Sequence, residues 1–305
     1  MPLLTLAHSP DPDDVFMWWP LGSESEPPVF DTHGFRFHPI AEDIQQLNRR
    51  AITSGDLDIT AVSIHTYPHI KDRYRLTSCA GSFGDGYGPK LVVRADRRGR
   101  VADPLAFVAD PSTLVAIPGV NTTAFLVLRV LVGREFRFVE LPFDEIPGAV
   151  QRGEAAAGLL IHDAQLTYAR HDLAELLDIG LRWRDAKGLP LPLGGNAVRR
   201  DLDERFGPGA LEAVGRLLCR SIAHALDHRR EGMERIGARY PELDSSTLDR
   251  YLSMYVSQRT LDPGPDGRRA IAELLALGRS SGLSPDAGPL DLLECGPLAQ
   301  GPRGD

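Results

Sequence analysis

Residues 157–168 read A-G-L-L-I-H-D-A-Q-L-T-Y, and the rest of the chain is organised around them. The apolar run 159–161 has the length and the small flanking residues of a buried strand. The run ends at His162, and ligands of open α/β sheets bind just beyond the carboxyl ends of strands. Imidazole changes charge near neutral pH, so this position favours general acid–base chemistry at His162, with the Tyr168 phenol nearby. The alternative is a histidine that only terminates the strand through a satisfied hydrogen bond.

Upstream of this segment, two stretches share one order of strand, turn and helix. Residues 3–7 form a predicted strand, followed by the turn S-P-D-P-D-D at 9–14; residues 114–117 are followed by P-G-V-N-T-T at 118–123. A helix N-terminus offers free N–H groups and the positive end of a dipole, so two facing termini would hold a small polar ligand. Each turn taken alone is also typical of an ordinary helix cap. The candidate ligand-binding residues in these turns are Ser9, Asp14, Asn121, Thr122 and Thr123.

The composition of the 305-residue chain limits its partners. A formal net charge of −8 argues against nucleic acid or an anionic membrane surface, since both require a basic footprint. A small anionic ligand stays possible, because one site can be positive on an acidic protein. No apolar run approaches the roughly 18–20 residues that span a bilayer, and the N-terminal residues lack the basic segment of a secretory signal. We therefore expect a cytoplasmic protein with a small-molecule partner, while its oligomeric state is left open.

Signals for metals and disulfides are weak. Cys79, Cys219 and Cys295 are widely separated without a C-x-x-C motif, which indicates a reducing compartment rather than a disulfide framework or a zinc site. The histidine pairs at 65/69 and 224/228 have helical spacing, but neither has a third ligand nearby. We expect these histidines in packing or surface roles, and neither a metal nor a cofactor.

The most glycine-rich segment is G-S-F-G-D-G-Y-G-P-K at 81–90. A phosphate-binding loop would lead into a helix, whereas the following residues 91–94 form a predicted strand and no G-K-[ST] motif is present. The pattern therefore favours a flexible or tightly turned loop through which the chain crosses from one part of the fold to another. From Asp201 onward the periodicity is almost wholly helical, and the Gly- and Pro-rich tail at 296–305 is expected to be disordered.

Six motifs, in order along nearly the whole chain, resemble the 1,4-dihydroxy-6-naphthoate synthases of the futalosine route to menaquinone. They are S-P-D-P-D-D-V-F at 9–16, D-I-T-A-V-S at 58–63, G-D-G-Y-G-P at 84–89, P-G-V-N-T-T-A at 118–124, G-L-L-I-H-D at 158–163 and G-L-P-L-P-L-G at 188–194. The resemblance implies a cofactor-free lyase that converts cyclic dehypoxanthinyl futalosine to the naphthoate and a sugar-derived fragment. It also implies that His162 is the base, and that Ser63, Thr122 and Thr123 bind the substrate's carboxylate and hydroxyl groups.

The chain departs from the family pattern beside the expected site. The family's opening is typically S-P-C-P-N-D, so Asp11 and Asp13 replace a cysteine and an asparagine. Ala61 stands where a lysine is usual, while Lys90 occurs in the glycine-rich segment. Added carboxylates raise the free-energy cost of binding an anionic substrate, through desolvation and charge repulsion. A substrate different from the family's is therefore an alternative. We expect the substrate carboxylate to point to the lobe of Thr122, and its hydroxylated part to the lobe of Asp11.

The resemblance implies a two-lobed α/β fold of the periplasmic-binding-protein type (type II), with the ligand between the lobes. Lobe one is predicted at 1–95 together with a helical region at 200–295, and lobe two at 105–195, with hinge crossings near 94–103 and 194–199. A chorismate dehydratase-like enzyme of the same pathway and a small-anion solute-binding protein share this fold and are the alternatives. A ligand-sensing regulator would need a DNA-binding helix pair, and the acidic C-terminal region offers no basic face.

Overall fold

The computed structural model describes residues 2–241 and 243–296. Apart from Gly296, the predicted tail therefore lies outside the described residues. The strands are β1 (Leu3–His8), β2 (Arg36–Ala41), β3 (Ile59–Ser63), β4 (Tyr74–Thr77), β5 (Ser82–Gly84), β6 (Lys90–Arg94), β7 (Leu114–Ile117), β8 (Arg137–Glu140), β9 (Ala157–Leu160), β10 (Leu173–Asp178), β11 (Leu191–Arg199) and β12 (Leu292–Leu293).

Helices cover both faces of the sheets that these strands form. They are α1 (Pro12–Trp18), α2 (Ile44–Ile52), α3 (Tyr67–Ile70), α4 (Pro104–Val108), α5 (Thr123–Val132), α6 (Ile146–Arg152), α7 (Ala164–Thr167), α8 (Ile179–Lys187), α9 (Leu202–Phe206), α10 (Ala210–Asp227), α11 (Arg229–Gly237), α12 (Ser245–Tyr255), α13 (Gln258–Leu261) and α14 (Gly264–Ser280). None of the helices in the described part of the chain has both the length and the apolar character needed to cross a membrane.

The strands form two separate mixed sheets, one in each lobe. The first has the order β12-β4-β11-β3-β1-β2, with β5 also paired to β11, and the second has the order β10-β6-β9-β7-β8. Strand β1 runs parallel to β2 and β3, and β7 runs parallel to β8 and β9. The carboxyl ends of the parallel strands in each sheet lead to the residues that line one cavity between the lobes.

The central strands are buried because apolar clusters cover the sheets on both faces. Every residue of β3 and β9 is buried, as expected of strands covered by helices on both sides. Glycine at position 158 lets α6 pack directly on β9, since a Cβ there would lie 2.8 Å from Ile146 Cγ2 and from Val150 Cγ2. Thr122 caps α5 by accepting the Phe125 N–H, and Gly133 ends this helix in the left-handed conformation.

The C-terminal helices pack on lobe one. Helix α1 contacts α10, α11 and α12, and one apolar cluster joins Phe16 of α1 to Leu218 of α10 and Leu252 of α12. This arrangement places the helical third of the chain on the first sheet and over the N-terminal turn of α1.

The chain passes twice between the two lobes, and both crossings lie at other residues than the predicted 94–103 and 194–199. Strand β5 belongs to the first sheet and β6 to the second, so the first crossing occupies residues 85–89; the second occupies residues 179–190, including α8. The short apolar run of β6 carries no information about which sheet it joins, and it pairs with β9 and β10 in lobe two.

The two crossings touch each other through their backbones. A Cβ on Gly88 would lie 2.9 Å from Gly180 Cα, and a Cβ on Gly180 would collide with the carbonyl group of Tyr87. Gly84 is equally restricted by the Tyr87 carbonyl, while Gly86 has a φ of +80°. The glycine-rich segment is therefore a tightly turned crossing whose glycines permit close backbone approach.

The expectation that the cysteines form no disulfide is wrong. Cys219 of α10 and Cys295 are bonded, with their Cα atoms 5.9 Å apart, and buried Cys79 is the free thiol. Strand β12 pairs with β4 and returns Cys295 to the first sheet, which α10 covers. The two cysteines are 76 residues apart, so the disulfide leaves no local motif, and the spacing of the cysteines did not indicate it.

Candidate active site

A cavity of about 730 Å³, partly open to solvent, lies between the two sheets. Its lining mixes apolar walls with a few polar groups, as small-molecule sites do. Most of the predicted ligand-binding residues line it: Ser9, Asp14, Ser63, Thr122, Thr123 and His162. Asp11, Asp13 and Ala61, where the chain departs from the family pattern, line it as well.

His162 reaches into the cavity from the end of β9. Its φ is +57°, a conformation that non-glycine residues rarely adopt and that recurs at functional sites. The imidazole Nδ1 lies 2.5 Å from Asp11 Oδ2, while the buried Nε2 has no hydrogen-bond partner among the described residues. The Phe143 ring packs edge-on against the imidazole, with 4.6 Å between centroids. The histidine therefore does more than end the strand, because its ring contacts the opposite lobe.

Three carboxylates at the start of α1 are nearly buried, with Asp11 4% exposed and Asp13 and Asp14 each 8% exposed. Asp14 accepts the Ser9 N–H at 2.8 Å, and Asp13 accepts the Tyr251 hydroxyl at 3.2 Å. Burial, reinforced by the neighbouring carboxylates, raises the pKa of Asp13 to about 6 and that of Asp14 well above its usual range. The Asp11 oxygen Oδ2 is already engaged by Ser9 and His162.

The threonine hydroxyls at the start of α5 are committed to the protein. The Thr122 hydroxyl donates to Gly119 O at 2.7 Å, and the Thr123 hydroxyl donates to Leu193 O at 2.7 Å. A hydroxyl has one proton to donate, so these side chains do not supply the donors that the sequence suggested. The backbone N–H groups of Thr123 and Ala124 precede the first intrahelical bond and point to the helix end, where an anion is stabilised.

Ser63, at the end of β3, keeps a hydroxyl proton for a ligand. Its backbone N–H donates to Asn48 Oδ1 at 2.9 Å, and its Oγ accepts from Asn48 Nδ2 at 3.1 Å. Asn48 is fully buried on α2, and it orients Ser63 from outside the cavity. The sequence pattern did not single out Asn48.

Three residues singled out from the sequence lie away from the cavity lining. Tyr168 packs at the margin of a small core in lobe two, and Asn121 accepts from Gln45 Nε2 at 2.9 Å where the lobes meet. Lys90 Nζ donates to Glu175 Oε2 at 2.7 Å and to Asp178 Oδ2 at 2.6 Å. Lys90 thus forms a half-buried structural ion pair beside the first crossing.

The site residues predicted from the sequence do not include several polar residues of the lining, among them Gln165, Asn196 and, from the C-terminal helices, Tyr251 and Tyr255. Tyr251 and Tyr255 are four residues apart on α12 and share one face, a pattern that also fits ordinary core packing. Only the packing of α12 over α1 brings that face to the site.

Polar contacts across the cleft hold the lobes together. Arg49 of lobe one donates to Glu140 of lobe two at 2.7 Å, and the Tyr255 hydroxyl donates to Gln165 Oε1 at 3.2 Å. The Thr123 hydroxyl oxygen accepts the His65 N–H at 3.2 Å. The structure is therefore a closed arrangement of the two lobes.

No lysine or arginine is among the described residues that line the cavity. An anionic group would have to be bound by neutral donors, above all the N-terminus of α5 and the Ser63 hydroxyl. Within residues 2–241 and 243–296, the group of His, Cys, Asp and Glu side chains compatible with a metal is Cys79, Cys219 and Cys295, two of which are bonded to each other.

Replacing Asp13 by asparagine is expected to stabilise the fold by about 1–3 kcal/mol at pH 7.5. The folded protein holds a proton on Asp13 up to about pH 6, whereas the unfolded chain releases it near 3.8, so stability falls as pH rises through this interval. Asparagine removes that penalty and keeps an acceptor for Tyr251. Denaturant unfolding should show a smaller gain at pH 4.5. Exposed Asp72→Asn is the control, and equal gains in both variants would contradict the interpretation.

The sequence was compared with known protein families and proteins. A family model described as menaquinone biosynthesis matches residues 4–280. An enzyme from Thermus thermophilus, named 1,4-dihydroxy-6-naphthoate synthase, is 36% identical over 292 residues, covering 95% of this chain and 99% of that protein. A protein of the same name from Streptomyces coelicolor is 33% identical over 296 residues, covering 94% and 96%.

Solved structures agree with the two-lobed architecture. A crystal structure of a protein from Archaeoglobus fulgidus has a TM-score of 0.76 and 35% identity, covering 92% of this chain and 98% of that one. The ligand-binding component of an ABC-type import system from Staphylococcus aureus has a TM-score of 0.65 at 13% identity, covering 93% of each chain. The second likeness shows the fold alone, which is the periplasmic-binding-protein-like fold expected from the sequence.

Proposed function

The chain belongs to the menaquinone biosynthesis family, and from this premise we propose that it is a 1,4-dihydroxy-6-naphthoate synthase. In this proposal the protein is a cytoplasmic lyase that converts cyclic dehypoxanthinyl futalosine, an aromatic carboxylate with an attached sugar, without a cofactor. The observation that carries the proposal is a buried imidazole nitrogen that has no hydrogen-bond partner in the described part of the chain and faces a cavity between two lobes.

The reaction requires a base, and His162 is the group in position to act as one. Its Nε2 would accept a proton from the sugar portion of the substrate, and elimination would follow. Formation of the aromatic naphthoate provides the driving force.

The substrate carboxylate would bind at the N-terminus of α5. There, the N–H groups of Thr123 and Ala124 and the helix dipole favour negative charge, and the Ser63 hydroxyl supplies a third donor from the opposite lobe. The carboxylates at 11, 13 and 14 repel a second anion from the other end. This supports an orientation with the carboxylate at α5 and the hydroxylated part of the substrate toward α1.

The direct test is incubation of the purified protein with cyclic dehypoxanthinyl futalosine, followed by chromatographic detection of 1,4-dihydroxy-6-naphthoate. A parallel incubation with chorismate tests the sister activity of the pathway. Consumption of chorismate with no naphthoate formed from the futalosine derivative would overturn the proposal. Tight binding of the futalosine derivative without turnover would instead favour a binding protein.

Replacing Ser63 by alanine is expected to weaken binding of 1,4-dihydroxy-6-naphthoate about 5- to 10-fold, because a buried carboxylate loses one donor. Isothermal titration calorimetry measures this, with exposed Thr53→Ala as the control. Unchanged affinity in Ser63→Ala would place the carboxylate elsewhere in the cavity.

A further inference from the structure

We propose that Asp11 is a positioning residue for His162, and that closure of the lobes assembles the pair. The inference rests on the proposed function, in which His162 is the base, and it deepens that function. Asp11 lies in lobe one between β1 and α1, whereas His162 follows β9 in lobe two. Their 2.5 Å contact therefore crosses the cleft, and a hinge opening would break it.

Two donors converge on a single oxygen of Asp11. The Ser9 hydroxyl donates to Oδ2 at 2.5 Å, and His162 Nδ1 lies 2.5 Å from the same atom. Ser9 is held in turn, since its N–H donates to Asp14 Oδ2 at 2.8 Å. The contacts with Ser9 and Asp14 lie within lobe one and hold the Asp11 carboxylate toward the imidazole.

The pair decides which imidazole nitrogen reacts. With the Nδ1 proton donated to Asp11, the lone pair of the neutral ring lies on Nε2, the atom that no described residue engages. When Nε2 takes the substrate proton, a C–H bond breaks, an N–H bond forms and the electron pair stays on the substrate. The imidazolium that results is stabilised by the Asp11 carboxylate, as in other buried Asp–His pairs. The strained backbone at 162 and the Phe143 edge restrict the ring further.

The charged surroundings of His162 are uniformly acidic. Burial lowers the pKa of the imidazole, but the hydrogen bond and charge of Asp11 and the charges of Asp13 and Asp163 outweigh it and raise the pKa to about 9. Tyr251 of α12 and Phe143 are neutral neighbours. Because an isolated imidazole titrates near 6.5, closure at neutral pH would take up a proton.

A purely structural role for Asp11 makes a different prediction. If the contact only latched the lobes, its loss would raise KM and leave kcat and the pH profile in place. A positioning role predicts a lower plateau kcat and a displaced pH profile, since both depend on the base itself.

The test compares Asp11→Asn with Asp13→Asn. The second variant removes a carboxylate from the same turn but leaves the Asp11–His162 contact in place. In the wild type, kcat should rise with pH up to about 9, because kcat reports the closed complex in which the pair is assembled. Asp11→Asn should move the rising part of this pH profile at least one pH unit lower, and it should reduce the plateau kcat about 10²-fold. Asp13→Asn should move the rising part of the profile less. An Asp11→Asn variant whose pH profile and plateau kcat both match those of the wild type would overturn the inference.

Titration of the His162 imidazole by ¹⁵N NMR measures the effect of Asp11 on the pKa of His162 without requiring turnover. The pKa of His162 should fall by more than one unit in Asp11→Asn, and an unchanged value would overturn the inference. If the wild type forms no naphthoate, the proposed function fails while this titration still tests the pair. Should Asp11→Asn not fold, Ser9→Ala frees one side of the carboxylate and should lower the imidazole pKa to a smaller extent. No change in Ser9→Ala would then count against the inference.

Discussion

Replacing His162 by asparagine is expected to lower kcat by about 10²–10⁴-fold, the range for loss of a positioned general base. Asparagine tolerates the left-handed backbone that residue 162 adopts, so the variant should fold normally. It removes the imidazole that would receive the proton. The affinity for the naphthoate should change only a few-fold, because the proposed carboxylate site lies at α5, apart from the imidazole.

The chain offers a matched control for this change. His33 also has a positive φ, at 52°, and is exposed outside the cavity lining, so His33→Asn makes the same substitution in the same backbone conformation. Steady-state kinetics of both variants and calorimetry with the naphthoate separate chemistry from binding. Near-normal turnover in folded His162→Asn would exclude it as the base.

The second large effect is expected at the hinge. Gly180→Ala should destabilise the protein by about 2–4 kcal/mol, as in strong overpacking of a core. A Cβ at this position would strike the carbonyl group of Tyr87 in the other crossing, and both partners are backbone that cannot rotate away. Gly180 lies in α8, where alanine would otherwise favour the helix by up to about 1 kcal/mol.

Gly99→Ala is the comparison for this substitution, because a Cβ there meets nothing within 4 Å. Denaturant unfolding should show little change for Gly99→Ala and a lower midpoint for Gly180→Ala. Equal stability of the two variants would show that the crossings can move apart at no cost.

Local sequence pattern predicts most of the elements here because their periodicity and caps are local. The strand before His162 and the helix after Thr122 both form at the expected places, within a residue or two. The likeness of the two turns also predicts correctly that residues of both lobes line one cavity. Turn chemistry and strand ends are properties of a few neighbouring residues, which a single sequence displays.

The features that were missed depend on distant partners. Asp11 was expected to face the sugar hydroxyls, yet it meets His162, which is 151 residues away and in the other lobe. The Thr122 and Thr123 hydroxyls were expected to bind the ligand, but backbone carbonyls occupy their protons. Strand β6 belongs to the second sheet because of its pairing with β9 and β10. Such pairings are tertiary, and no local pattern encodes them.

The pairing of β12 with β4 has a consequence for synthesis of the protein on the ribosome. Strand β4 lies between β11 and β12, so its outer edge stays open until Leu292 and Leu293 have been translated. An open edge can pair with another nascent chain. Arg75 of β4 donates to Asp291 at 2.8 Å, which joins this late segment to the edge in the folded protein. Translation that stalls before residue 291 would therefore leave a nascent chain prone to aggregation at β4.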